Sequence, residues 1–552
     1  MRSRKSRIVV SLLLPVFFYT LFIFTNQLYL SSDNMEVAEV VGGMFGENNF
    51  CQFLHPLLCV LIKPLNRLFP VTDVFTTLVH FGIYSTFALF LYLGLESVPA
   101  APISKWTIQE YLITALTILA VAFFSTGVVI WNANYNVQTA FFIFSGLLIL
   151  DISRQREKRK LWNVFGTLLI AFGFMLRIEA ALLFLPFIAL EIITEAIEQK
   201  RFSSRHLVPV ILIVSLLISS RAIFYSIEPY KSANRYNAAR TDCTDYPMKK
   251  WNELDHPDIL KADYEAAMYW GLTDTELMTV GLLEKAAETG GKTEFSVSDG
   301  LGPIFEEMWR KLTLSNLYMF AMFIMTVLLI VRNVILSGKW RKIESILAVL
   351  GGFIILLYFT VRGRAPLRVW EPVMFAADYV LISAALHSPS KRQTIDLLFQ
   401  LFLCICLWFS AGQVIAHNKW KEPATPLNAK IGADASVLME TFDSEGIYIW
   451  SDWSRTIPWY FRDIDKLPTR EVLEHHIPVG DWTYGQPYFE EFLESIDLEN
   501  PGKALVESEH LYLMFGGKTF FAFLQEHYGE DLIMEEAGEV NGKMAYRVVK
   551  AG

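Results

Sequence analysis

Charge is scarce in this chain. Only 19% of its 552 residues are Asp, Glu, Lys or Arg, while 53% are hydrophobic. A soluble enzyme of this length needs more polar surface than that. Cysteine is sparse too, at five residues, too few for a disulfide framework. Cys51 and Cys59 share one amphipathic segment, Cys404 and Cys406 lie in an apolar run, and Cys243 stands in a polar stretch. No Cys-x-x-Cys occurs, so zinc-ribbon and dithiol readings have no support. The chain also lacks a Walker loop and a dinucleotide fingerprint, which argues against an ATP-driven transporter and a cytoplasmic nucleotide-sugar enzyme. The net charge is −9, with no basic stripe interleaved with aromatics, so no nucleic-acid partner is expected.

What the chain has is apolar length. A helix needs about 20 apolar residues to cross the hydrocarbon core. Candidate spans are 8–30, 73–95, 110–131, 136–152, 162–176, 178–195, 207–226, 314–334, 344–361, 369–387 and 393–415. An aromatic content of 14% suits two membrane–water interfaces. Arg2, Arg4, Lys5 and Arg7 precede the first run, as they would in a signal peptide. The run is longer than a signal core, and Ser31-Ser32-Asp33 lacks a small-x-small site, so it reads as an uncleaved span. The fifth and sixth runs are short. They form a tight hairpin with a sunken tip, or else one long helix that leaves ten spans. Basic clusters at 2–7, 154–160, 200–205, 332–342 and 391–392 arbitrate. Eleven spans put all of them on the N-terminal side, as the positive-inside bias requires. The expectation is a multi-pass protein of the cell (plasma) membrane, with its N-terminus cytoplasmic and its C-terminus extracytoplasmic.

Two domains follow: a transmembrane domain, 1–417, with outer loops 31–72 and 228–312, and an extracytoplasmic α/β domain, 418–552. In the first loop a helix starts near Asp33, and 53–69, broken by Pro56 and Pro64, lies in the interface. The long loop has a helical patch near 275–290. In the tail, 446–450, 504–508 and 544–550 read as strands, and 487–496 and 517–528 as helices.

Asp33, Glu36 and Glu39 recur every three residues and share a helix face. They are either a helix cap followed by a solvated acidic face or a general base at the membrane surface. Arg362, Arg364 and Arg368 crowd a short outer loop, against the basic-inside bias. Arginine suits bidentate phosphate contacts, although pairing with Glu371 or lipid head groups would also explain them. Arg177 and Glu179, at the hairpin tip, are ionisable groups between apolar spans; Arg221 is of the same kind. Arg240 in Tyr236-Asn237-Ala238-Ala239-Arg240 is a candidate contact for sugar hydroxyls. The rest of that segment, Asp245-Tyr246-Pro247, and Asn134-Tyr135-Asn136 read as caps and turns. His475-His476 lack neighbours at metal spacing and read as surface residues.

The first loop resembles that of the GT-C glycosyltransferases, which use lipid-linked sugar donors, among them the bacterial lipid A aminoarabinose transferases and the protein O-mannosyltransferases. Asp33 matches the family's first acid, Ala38-Glu39 and Met44 fall in register, and His55-Pro56-Leu57 resembles a later [Lys/His]-Pro-Pro-Leu motif. Asn34 stands where relatives often have a second acid, and only one proline follows His55. The resemblance implies a GT-C-like α-helical polytopic fold and a polyprenyl-phosphate sugar donor. It implies a glycan, lipid or protein acceptor, and cell-envelope glycan assembly among membrane lipids. Asp33 or Glu36 would be the base. Arg362, Arg364 and Arg368 would hold the phosphate, with Arg177, Glu179, His55 and Arg240 as further substrate contacts. No cofactor is implied, and a divalent metal stays open. The rival readings are a lipid-linked glycan transporter or flippase, and a polysaccharide polymerase or ligase. A flippase would spread ionisable residues through several spans, whereas this chain gathers charge at outer span ends. A polymerase or ligase would place its acids in the long loop.

Overall fold

The computed structural model of the chain describes residues 4–24, 32–70, 72–96, 106–131, 134–153, 159–200, 207–255, 257–269, 271, 274–291, 302–313, 317–364, 366–388, 392–418, 439–450, 467–480, 482–514, 517–540 and 542–551. Most of the basic clusters at 154–160 and 200–205 lie outside these residues. Helix α1 (Arg4–Phe24) leads to two short helices of the first loop, α2 (Ser32–Gly42) and α3 (Pro56–Leu68). Then come α4 (Val74–Glu96), α5 (Ile108–Thr126), a π-helical turn at Gly127–Trp131, α6 (Tyr135–Ser153) and α7 (Arg159–Leu176). The sixth run forms α8 (Ile178–Leu182) and α9 (Leu185–Gln199), and the seventh α10 (Leu207–Phe224). The long loop carries α11 (Tyr230–Thr244), α12 (Lys261–Met268), α13 (Val280–Gly290) and α14 (Gly302–Thr313). The last four apolar helices are α15 (Leu317–Leu336), α16 (Lys339–Val361), α17 (Leu367–His387) and α18 (Gln393–Asn418).

Each run read as a span therefore lies on a helix. Among the described residues, eight helices are long and apolar enough to cross a membrane by length and composition, and 160–176 and 210–224 are shorter apolar helices. The fifth and sixth runs are not one long helix. Arg177 is extended (φ −159, ψ 103) between α7 and α8, and α7 packs on α6 and α10 while α9 packs on α16 and α17. Helices α6 and α17 form the centre of the bundle and are its most buried spans. Glycine lets α6 and α7 approach closely: a Cβ on Gly146 would lie 2.6 Å from the Gly166 carbonyl oxygen.

Among the described residues the tail forms a five-stranded sheet with four helices. Its elements are β1 (Ile447–Trp450), α19 (Arg470–His475), β2 (His476–Pro478), α20 (Pro487–Ser495), α21 (Pro501–Glu507), β3 (Leu511–Met514), α22 (Lys518–Tyr528), β4 (Leu532–Val540) and β5 (Lys543–Lys550). The order is β2-β1-β3-β5-β4, with the first three strands parallel and β5 antiparallel to both neighbours. Of residues 504–508, expected to be a strand, 504–507 belong to α21 and Ser508 is its C-cap. Asn500 caps that helix by accepting from the Lys503 N–H at 3.1 Å, and Pro501 sits in its first turn. His476 is buried rather than at the surface: it stacks on Tyr448, and its Nδ1 accepts from the Trp450 indole at 3.1 Å.

The tail folds onto the loops at one end of the bundle. Phe45 packs among Tyr488, Phe489 and Phe492. Asp274 accepts from Asn500 and Tyr528, and His527 pairs with Asp263 at 2.5 Å. Helix α2 packs against α3 and α4. Its expected solvated acidic face is buried, with Glu36 and Glu39 at 2% and 0% exposure. Helix α3 buries Leu58, Cys59 and Ile62 and exposes Leu57, Val60 and Leu61, an arrangement suited to an interface.

Candidate active site

Where tail, loops and bundle meet, a cavity of about 1130 Å³ opens. Its wall combines Asp33 and Glu36 of α2, Phe53 of the first loop, Tyr135 and Asn136 of α6, and Arg177 and Glu179 at the α7–α8 break. The long loop adds Asn237, Arg240, Asp242, Asp245 and Tyr246, the start of α17 adds Arg364, Pro366 and Arg368, and the tail adds Trp482 and Phe520.

Asp33 is the meeting point of three elements. Its Oδ2 accepts from Arg368 Nη1 at 2.7 Å and from Asn134 Nδ2 at 2.9 Å. Both bonds go to one oxygen, which leaves Oδ1 without a hydrogen-bond partner among the described residues. Asn34, the departure from the family pattern, is buried and ties α2 to α6. Its Nδ2 donates to Gln138 Oε1 at 3.2 Å, and its Oδ1 accepts from the Tyr135 N–H at 2.8 Å. This fixes the angle at which α2 presents Asp33.

Two further cation groups flank this centre. Arg364 donates to Asp245 at 2.5 Å, with its guanidinium 4.9 Å from the Tyr246 ring centroid. Arg177 lies 2.9 Å from Glu179 and 4.5 Å over the Phe53 ring. Arg221 holds the other oxygen of Glu179 at 2.9 Å and donates to the Gln52 carbonyl at 3.2 Å. Glu179 is thus gripped from two sides, and the desolvated Arg177 is compensated by charge and by an aromatic face.

Of the residues proposed from sequence, Asp33, Glu36, Arg177, Glu179, Arg240, Arg364 and Arg368 line this cavity. Two do not. His55 caps α3: its Nδ1 accepts from the Leu57 N–H at 3.1 Å, which assigns the proton to Nε2, donating to the Leu217 carbonyl at 2.9 Å. Burial holds its pKa below the ordinary histidine value. Its geometry is that of a structural tie to α10. Arg362 stays outside the lining, 5.8 Å from the Tyr246 ring. Arg240 keeps part of its donor set for the chain, giving Nη2 to Asn237 Oδ1 at 2.6 Å.

Sequence reasoning passed over Asp245 and Tyr246 as turn residues and Asn134 as a cap. Asn134 does cap α6, accepting from the Asn136 N–H at 2.9 Å, and it also holds Asp33. Charge is not confined to span ends either. Asp378 is buried within α17, accepting from Thr326 at 2.7 Å, and Glu191 of α9 accepts from Tyr379 and, at 2.9 Å, from Ser383. Among the described residues no group of three or more His, Cys, Asp or Glu could hold a metal ion.

No protein-family model matches this chain, and no curated protein matches it. It is similar to solved structures of one protein. ArnT from Cupriavidus metallidurans bound to undecaprenyl phosphate matches at 13% identity with a TM-score of 0.40, over 98% of this chain and 97% of that one. The apo state of the same protein matches at 13% and 0.40, over 97% of each chain.

Proposed function

We propose that this chain is a GT-C type glycosyltransferase that moves a sugar from a polyprenyl-phosphate carrier to an acceptor on the extracytoplasmic face, with eleven spans and the tail outside. The observation that supports this most is the contact between Asp33 and Arg368 in one cavity, with Arg364 beside it. Asp33 Oδ1 takes the proton of the acceptor hydroxyl. The acceptor oxygen bonds to the anomeric carbon, the bond from that carbon to the phosphate oxygen breaks, and its electron pair leaves on the phosphate. Arg364, Arg368 and the N-terminus of α17 meet that developing charge. Because Arg368 touches Asp33, a phosphate that draws the guanidinium toward itself also frees Oδ2 of the base.

The experiment is incubation of purified protein with a panel of polyprenyl-phosphate sugars and a membrane extract as acceptor source. Release of the polyprenyl-phosphate carrier supports the reading, and no release from any donor contradicts it. A second reading, a polymerase or ligase with its acids in the long loop, draws on the presence of Asp242 and Asp245 in the wall. It requires Asp245→Asn to abolish transfer while Asp33→Asn does not. A transporter reading draws on the buried Asp378 and Glu191, and requires lipid-linked sugar to cross proteoliposomes without carrier release.

A further inference from the structure

The parallel strands of the tail point their carboxyl ends at the cavity. Strand β2 ends at Pro478 and is followed by Gly480 and Trp482; β3 ends at Met514 and is followed by Gly517, Thr519 and Phe520; all five residues line the wall. Ligands of open α/β sheets bind beyond the carboxyl ends of the strands, and here that end is turned onto a helix bundle. The turn after β2 is held firmly. Val479 N–H donates to the Trp450 carbonyl at 3.1 Å. Gly485 has φ 70 and lies so close to Tyr236 that a Cβ would come within 2.6 Å of the ring.

Trp482 is fixed by this turn and by the first loop. Gln52 Nε2 donates to its carbonyl at 3.2 Å, and the Phe53 ring meets it edge-on at 4.6 Å between centroids. The residue is 6% exposed, yet its indole N–H has no hydrogen-bond partner among the described residues. A buried N–H without an acceptor is costly, and native structures satisfy nearly all of them.

We infer that Trp482 is the tail's contact to the transferred sugar, its indole N–H donating to a hydroxyl or ring oxygen of that sugar. The inference rests on the glycosyl-transfer reading and adds to it a sugar subsite built by the tail. An indole offers one neutral donor on an apolar body, which matches a sugar ring, with its uncharged oxygens and its apolar face, better than a phosphate. Phe53 and Phe520 supply the apolar surroundings. With the phosphate at the start of α17, as proposed above, the sugar it carries lies in the same cavity whose wall includes Trp482.

Trp482→Phe keeps the ring against Phe53 and removes the N–H. Binding is measured for wild type and variant with undecaprenyl phosphate alone and with undecaprenyl phosphate carrying a hexose, a pentose or an N-acetylhexosamine. Both proteins bind the bare carrier alike. Wild type gains affinity from at least one sugar, and Trp482→Phe loses that gain by about threefold to tenfold. Full retention of the gain, no gain from any sugar in wild type, or a rise only in the acceptor KM overturns the inference. The transfer reading fails separately, if wild type does not bind the bare carrier or if Arg364→Ala with Arg368→Ala leaves that binding unchanged; in the first case the sugar subsite falls with it.

Discussion

The helix bundle pairs arginine with carboxylate at both of its ends, and the surroundings of the pairs differ. At the end away from the tail, Arg341 is 2% exposed and lies 2.9 Å from both Glu344 and Glu198. Nearby, Arg332 gives Nε to Asp396 at 2.9 Å and Nη1 to Asn333 at 3.2 Å, while Asn333 donates to Ser345 and to the Leu381 carbonyl. These groups are spent on one another and tie α9, α15, α16 and α18 together. At the tail end, Arg368 and Arg364 are 41% and 27% exposed, and each makes its ion pair in the wall of a cavity. An ion pair alone does not mark a site. Donor and acceptor capacity left over after pairing does.

That contrast is open to test by substitution. Arg341→Ala strands Glu344 and Glu198, and removing one partner of a buried pair costs about 3–5 kcal/mol. The expected result is a large fall in melting temperature, or failure to fold, in detergent. An unchanged melting temperature would erase the distinction between the two ends. Arg364→Ala with Arg368→Ala should leave stability within about 1 kcal/mol, because part-exposed pairs contribute little. It should weaken undecaprenyl-phosphate binding by about tenfold to a hundredfold, the range for lost charge-assisted bonds. Lysine at either position should restore only part of the affinity, since it offers a point charge and not a fork.

A third pair, on the tail surface, sets the lower limit. Asp443 accepts from His510 at 2.9 Å and from Tyr512 at 2.8 Å. The bond to His510 lowers the Asp443 pKa, and the bond to Asp443 raises that of His510. The depressed Asp443 stabilises the fold above the ordinary carboxylate range, and this is lost as pH falls through its folded value. The raised His510 stabilises fully below the ordinary histidine value, and this is lost as pH rises through its folded value. Together they predict a shallow maximum in tail stability between about pH 4 and 6.5, which His510→Asn should flatten. A maximum that survives the substitution would assign it elsewhere.

Much of this was legible in the residues, for physical reasons. A run of about 20 apolar residues has few alternatives to a spanning helix, and eight of the expected runs lie on helices long and apolar enough to cross a membrane. The start of α2 near Asp33 was visible as well. The burial of its acids was not, because α2 packs against α3 and α4 and is tied to α6, about 100 residues further along the chain. Asp245 read as a turn residue and Trp482 went unnamed because the fold brings both to one cavity wall with Asp33, and no local pattern records that. Strand β4, with Glu535, Glu536 and Glu539 largely facing solvent, has too little alternation to stand out. The helix at 501–507 did leave a signal, the Asn500-Pro501 cap, which the apolar run Ala504-Leu505-Val506 concealed.

The central claim is that Asp33 is the base, and Asp33→Asn tests it most directly. Asparagine keeps the size of the side chain and an oxygen for Arg368 and Asn134, but it cannot take the acceptor's proton. The measurement is single-turnover transfer from an identified polyprenyl-phosphate sugar, with carrier binding followed in parallel. The account predicts a loss of about 10²-fold or more in transfer, the scale of a general base, with carrier affinity and melting temperature close to wild type. Transfer at the wild-type rate would contradict it and would move the role to Glu36.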